Sequence, residues 1–577
     1  MDWDMGSLYG DVDSPRFKKD LAEVVRRSKK LETLLKGKRS DLCVVVREYE
    51  LILDIMESLS AFAAAMRTID TGNAKYVKAV TQVGKASLAV DHMHVAVLGY
   101  LASHTDAVAA LTQKGGPLER YAYVLGELLE EQKHTMKPEL EALASDLNRS
   151  GTDAFSRLQE SVSANASIEW CAGERKTATE LRGFAFSSDR ELRKLAFDKE
   201  LAIWEEHQDA FAAALNGVKG ATITLDGMRG YASPLKRSLA QSRIDQETFD
   251  SLLSTLQDNL PMFRRYLGAK AKLLGLDSLA FYDLFAPVGK GGRQYTYEEA
   301  QAFVIKQMKG FSPKMGSFVA QAFADHWVDP FPHQGKVGGA YDTAFPVFGE
   351  SRVLANFDGT YNGVSTFAHE LGHAFHDSIV LPLPHLLRTY PMTLAETASI
   401  FSEFVALQGA LAEADDDERL TLSEHFLQDA CQVCVDILCR FLFEQEVFEK
   451  RRQEELTAEG FSRLMVSCQK RTYGELSAYH PYMWAVKGHY YSSDFSYYNY
   501  PYAFGQLFGL GLYAEYEKDK ASFEDKYVAL LSRTGSMSAM SVASSIGIDI
   551  HDKRFWQQGM DVIGAFADRF VHHASLL

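Results

Sequence analysis

The segment STFAHELGHAFHDSIV, residues 365–380, sets His369, Glu370 and His373 in the pattern H-E-x-x-H. With 17 histidines in 577 residues and glutamate taken at about 7%, that pattern arises by chance roughly 0.03 times in such a chain. On a helix, residues four apart lie about 40° apart around the axis, so both imidazoles can point at one metal ion. Glu370 lies about 100° round from His369, where its carboxylate reaches a water at the metal without taking a coordination position. The residue types therefore point to metal-assisted hydrolysis. Gly372 inside the same helix costs about 1 kcal/mol relative to alanine, which implies close approach by another backbone or by a substrate.

A catalytic zinc takes three protein ligands and keeps one position open. Glu396, in the run TLAETASIFSEFVALQGALAE (393–413), stands 23 residues beyond His373. Thr393 and Glu396 also spell T-x-x-E, a capping box that would use the same carboxylate to start a helix. Spacing alone leaves both readings open. Ser399 and Glu403 share the helical face of Glu396, so either could hydrogen-bond a ligating histidine. His376 shares the face of His369 but is expected to be a packed or supporting histidine, because a fourth ligand would close the site. Cys431 and Cys434, a lone C-x-x-C in an apolar run, are expected to be buried and inert.

The string FDGTYNGVSTFAHELGHAFH (357–376), followed by AETAS (395–399), resembles the oligoendopeptidase F and thimet-type oligopeptidase family of zinc metallopeptidases, which carry a gluzincin-type motif. The likeness extends through GGAYDTAFP (338–346), a tyrosine-rich segment near 490, and TGSMSAMSVASSIGIDIHDKRFWQQGMDVI (534–563). It implies one zinc ion per chain on His369, His373 and Glu396, with Glu370 as general base. It also implies oxyanion donors in GHYYSSDFSYYNYPYAFGQLFG (488–509): His489, with Tyr497 and Tyr500 at the expected spacing. The loop departs from the family pattern by a residue or two, so Tyr498 and Tyr502 compete for the tyrosine roles.

These residues must be positioned by a largely helical chain. Most of the sequence carries the 3.6-residue apolar rhythm, as in 41–69, 120–147 and 423–456. The stretch 336–360 is rich in Gly, Tyr, Phe and Val, and SRVLANF alternates as a strand does, so a small sheet is expected just before the H-E-x-x-H helix. The fold class is mainly α. The resemblance adds a large helical body enclosing a deep substrate channel, with a sheet edge near SRVLANF able to pair with an extended peptide. It also suggests an N-terminal helical region, 1–195, forming one wall, and a zincin-type catalytic region, 196–577. Residues 225–238 mark a candidate break, and the glycine-rich 289–293 reads as an ordinary loop.

Composition narrows the partners. Lys+Arg 61 against Asp+Glu 77 gives a net charge of −16, which repels phosphate backbones and anionic lipid surfaces. Nucleic acid and membrane are not expected partners. Six unevenly spaced cysteines and an acidic start without a signal pattern suggest a cytoplasmic enzyme. The expected function is a zinc-dependent endopeptidase acting on short unfolded peptides. A related metallocarboxypeptidase, or a non-catalytic peptide-binding protein on the same scaffold, are the alternatives.

Overall fold

Apolar residues at helical spacing become buried faces. The computed structural model describes residues 3–36, 41–171, 173–289 and 291–576, and it is mainly helical with two small sheets. Helix α1 (Leu42–Ile69) shows the rule: Asp41 caps it by accepting from the Cys43 amide, and Val45, Tyr49, Ile52, Leu59, Phe62 and Met66 fall on one buried stripe.

Packing groups the described chain into two discontinuous units. Unit 1 comprises 1–133, 292–413 and 515–548, and unit 2 comprises 134–291, 414–514 and 549–577. The passage between them at 133–134 coincides with a break in the run 120–147, which forms two helices, Ala122–Lys133 and Pro138–Ser150. Proline lacks an amide donor and drives the residue before it to extended geometry; Lys137 sits at ψ 144°. The expected division at 195 falls inside a helix, Arg190–Met228. The candidate break at 225–238 is a turn within unit 2, closed by Ser233 capping helix Pro234–Gln241. The run 423–456 is interrupted by a π-helical turn, Gln432–Asp436. Residues 289 and 291–293 are irregular chain, while Lys290 lies outside the described residues. No single helix among the described residues is long and apolar enough to cross a membrane.

Unit 1 carries the H-E-x-x-H segment. Its sheet has three strands, β1 (Val328–Asp329), β2 (Tyr341–Phe345) and β3 (Glu350–Leu354), in the order β1-β3-β2. β3 runs parallel to β1 and antiparallel to β2, with Asp342 opposite Val353. SRVLANF thus supplies the central strand, whose backbone is paired on both sides. The edges are β1 and β2, and it is β2 that lines the cavity over the H-E-x-x-H helix, so strand addition beside that helix must use Tyr341–Phe345 and not SRVLANF. Phe345 and Leu354 join the buried cluster formed by the N-terminal helices and fix the sheet against α1.

Candidate active site

Helix α2 (Tyr361–Val380) follows β3 after a short turn in which Asp358 holds Thr360, and Thr360 caps the helix by accepting from the Gly363 amide. Helix α3 (Thr397–Glu413) packs along it, preceded by one helical turn, Met392–Ala395. Because that turn starts at Met392 with Pro391 as its cap, Thr393 is not at a cap position. Glu396 sits at the junction of the two helical pieces and turns its carboxylate toward α2.

There Oε2 of Glu396 lies 3.3 Å from His369 Nε2 and 3.4 Å from His373 Nε2. Donors about 2.0–2.2 Å from one ion in a tetrahedral array stand roughly 3.3–3.6 Å apart, so the carboxylate oxygen already stands from each imidazole nitrogen at the separation that a shared cation requires. Burial would raise the Glu396 carboxyl, but hydrogen bonds from the two imidazoles outweigh it and hold the group far below the ordinary carboxylate range. Ser399 donates to Glu396 Oε2 at 2.7 Å. Glu403 Oε2 lies 3.1 Å from His369 Nδ1, and Ser365 donates to the other Glu403 oxygen. A carboxylate can only accept, so Glu403 keeps a proton on His369 Nδ1, and Nε2, which faces Glu396, is the nitrogen that would give up its proton to ligate an ion. Two imidazole nitrogens and a carboxylate oxygen form a donor set suited to zinc.

Glu370 points to the same place and is only 7% exposed. Burial raises its carboxyl, opposed by the two histidines and by the Asp342 amide of β2, which donates to it. The edge strand of the sheet thus also orients the expected base.

Gly372 has its explanation in the packing of α2 on α3. A Cβ there would lie 2.7 Å from the Ala398 carbonyl and 2.9 Å from Ser399 Cα. The close approach predicted from sequence is made by the helix that follows Glu396. Gly372→Ala is expected to destabilise the protein by about 1–3 kcal/mol through overpacking, read as a lowered midpoint in chemical unfolding; an unchanged midpoint would contradict this packing.

A cavity of about 760 Å³ opens over these groups, bounded by β2, by Leu53, Met56 and Glu57 of α1, and by Tyr390. Several of its polar residues carry no sequence signal. Asp342 and Asp377 hydrogen-bond to one another on its wall, where burial pushes Asp342 well above the ordinary carboxylate range. Arg388 spans to α1, 2.7 Å from Asp54 and 2.7 Å from Glu57. Asp54, Glu57 and His385 could by distance hold a cation, but the guanidinium already occupies their centre. His376 is fully buried, bonded to Thr534 and stacked on Tyr390; burial lowers it to about 3, so it is a neutral packing residue. Cys431 and Cys434 are buried free thiols, and burial pushes Cys431 up to about 12.

The expected oxyanion donors all lie in unit 2. Tyr497 adopts φ 57° and is buried between Phe441 and Phe448, its amide donating to Glu444, which also accepts from Lys219. Tyr500 is buried too, and its hydroxyl bonds the Ser238 carbonyl and Ser242. Left-handed geometry at Tyr497 turns the next residue outward. Tyr498 stacks on His489 with ring centres 4.4 Å apart, and Tyr502 lies 6.0 Å from Tyr498.

Comparison with known proteins decides the family. Residues 184–562 match the model of Peptidase family M3, and 101–167 match that of Oligopeptidase F. The chain belongs to Peptidase family M3. Oligopeptidase PepF of Bacillus subtilis is 26% identical to this M3 peptidase over 536 residues, 89% of the chain and 79% of PepF. Group B oligopeptidase PepB of Streptococcus agalactiae is 26% identical over 480 residues, 80% and 77% of the two chains. Among solved structures, oligoendopeptidase-F from Enterococcus faecium superposes with a TM-score of 0.70 at 18% identity, covering 97% of this chain and 99% of that one. Membership makes the M3 chain a peptidase, with peptides as its substrates.

Proposed function

We propose that this M3 peptidase is a zinc-dependent endopeptidase that hydrolyses internal bonds of short unfolded oligopeptides. The observation that carries the reading is the convergence of His369 Nε2, His373 Nε2 and Glu396 Oε2 beside the buried Glu370. Those three residues would hold the ion. When bound, zinc lowers the pKa of water from 15.7 toward about 7 and polarises the scissile carbonyl. Glu370 takes a proton from the attacking water onto its carboxylate and then passes it to the leaving amine, acting first as base and then as acid. The free edge of β2 offers backbone groups to an extended peptide above Glu370.

The family resemblance supports tyrosine donors to the oxyanion, and one such donor contributes roughly 3–4 kcal/mol in comparable sites. Tyr498 and Tyr502 are the pair we assign, in place of Tyr497 and Tyr500, because their rings are not enclosed in the interior of unit 2. Glu403→Ala should weaken zinc binding about 10–100-fold by releasing the His369 tautomer, measured by competition with a chromogenic chelator; unaltered affinity would remove Glu403 from this role.

The metallocarboxypeptidase reading needs an uncommitted basic group to anchor a terminal carboxylate. Arg388 lines the cavity, but Asp54 and Glu57 already neutralise it, which favours internal cleavage. Mass spectrometry of products from a blocked peptide of about ten residues, long enough to fill an extended groove, paired with metal analysis, tests the proposal. Products trimmed one residue at a time from an end, or turnover unaffected by chelator, would overturn it. Casein cleaved as fast as short peptides would overturn the restriction to oligopeptides.

A further inference from the structure

We infer that Asn499, held by Arg440, locks His489 in the Nδ1–H tautomer, so that His489 presents Nε2 to the substrate as a hydrogen-bond acceptor for a peptide N–H and not as a donor to the oxyanion. The chain of reasoning starts from Arg440, a donor-only group that stays protonated. Its Nη1 donates to Asn499 Oδ1 at 3.0 Å in a buried setting. That contact orients the amide, since the reversed orientation would set the NH2 group against a guanidinium. Arg440 is itself fixed by an ion pair with Asp436, which in turn accepts from the Tyr473 hydroxyl and the Gln432 amide.

The same Asn499 Oδ1 lies 3.3 Å from His489 Nδ1. A carbonyl oxygen has no proton to give, so the imidazole nitrogen facing it carries one. In a neutral ring the proton on Nδ1 leaves Nε2 bare. Burial, Arg440 and Lys487 all disfavour the imidazolium, against the opposing bond to Asn499, and the net direction is downward from the usual histidine range. Tyr498 covers one face of the ring by stacking. Asn499 is therefore a positioning residue, and Tyr498 and Tyr502 are left as the donors. The role toward a peptide rests on the function proposed above; the tautomer does not.

The full chain labelled with 15N-histidine tests both parts. The His489 ring signals are identified by their loss in His489→Phe, and nitrogen shifts with two-bond couplings report the tautomer at pH 7. The expected result is a protonated Nδ1 and a bare Nε2; a protonated Nε2 overturns the inference whatever the enzyme's activity. Asn499→Asp, which keeps the acceptor, should retain the tautomer, and a switch to Nε2–H in that variant counts against it. For the substrate, a series of peptides with single backbone amides replaced by esters is assayed. One replacement should cost the native enzyme up to about 10-fold in kcat/KM, the worth of one hydrogen bond, and less than about 2-fold in His489→Phe. Equal costs in both proteins at every position overturn the acceptor role, whereas absence of any chelator-sensitive hydrolysis overturns the proposed function and leaves the tautomer result standing.

Discussion

Glu370→Gln is expected to lower kcat by about 10³–10⁴-fold with zinc content unchanged. General-base catalysis is worth roughly 10²–10⁴, and Glu370 serves twice, taking a proton and returning it, which puts the loss in the upper half of that range. Each decade corresponds to about 1.36 kcal/mol of barrier. The substitution is nearly isosteric, and the glutamine carbonyl can still accept from the Asp342 amide that orients the native side chain. What disappears is the capacity to hold a proton. Since Glu370 is not among the three converging ligand atoms, metal analysis should return the native stoichiometry. Near-native turnover in this variant would remove Glu370 from the chemistry, while loss of metal would make it a ligand.

Glu396→Ala is expected to do the reverse, emptying the site and abolishing turnover together. Supporting residues that merely orient a ligand contribute about 10–100-fold to metal affinity, so deletion of a ligand should exceed that range. Two imidazoles on adjacent turns of α2 would remain, with Ser399 keeping only its bond to the backbone carbonyl of residue 396. Apparent stability should also lose its dependence on added zinc, because an ion that binds the folded chain stabilises it by mass action. Thermal unfolding with and without zinc, alongside metal analysis, checks the prediction; full occupancy in Glu396→Ala would exclude the residue as a ligand.

How much of this was legible in the sequence depends on how local each feature is. His369, Glu370 and His373 belong to one helix, and helical geometry alone places them together. The spacing of Glu396 fits ligand and cap equally, because a capping box and a ligand make the same demand on residue type. The extra helical turn at Met392–Ala395, capped by Pro391, separates the two readings by removing Thr393 from the cap position. The small sheet was visible in the alternation of SRVLANF, yet its strand order was not. That SRVLANF is the central strand and not an edge depends on β1, a two-residue strand that pairs with its other side.

Local chemistry therefore set the helical character, the metal-ligating motif and the need for a close approach at Gly372. The tertiary structure decided whatever depended on groups distant in sequence. Arg388 closed the cluster on α1 against a second cation, and Glu444 and Lys219 anchored the left-handed turn at Tyr497. That turn reversed which tyrosines face outward: one residue with positive φ changes the phase of the side chains that follow, and no residue-type pattern records it. Arg440 likewise chose the orientation of Asn499, and through it the proton on His489, from 59 residues away along the chain.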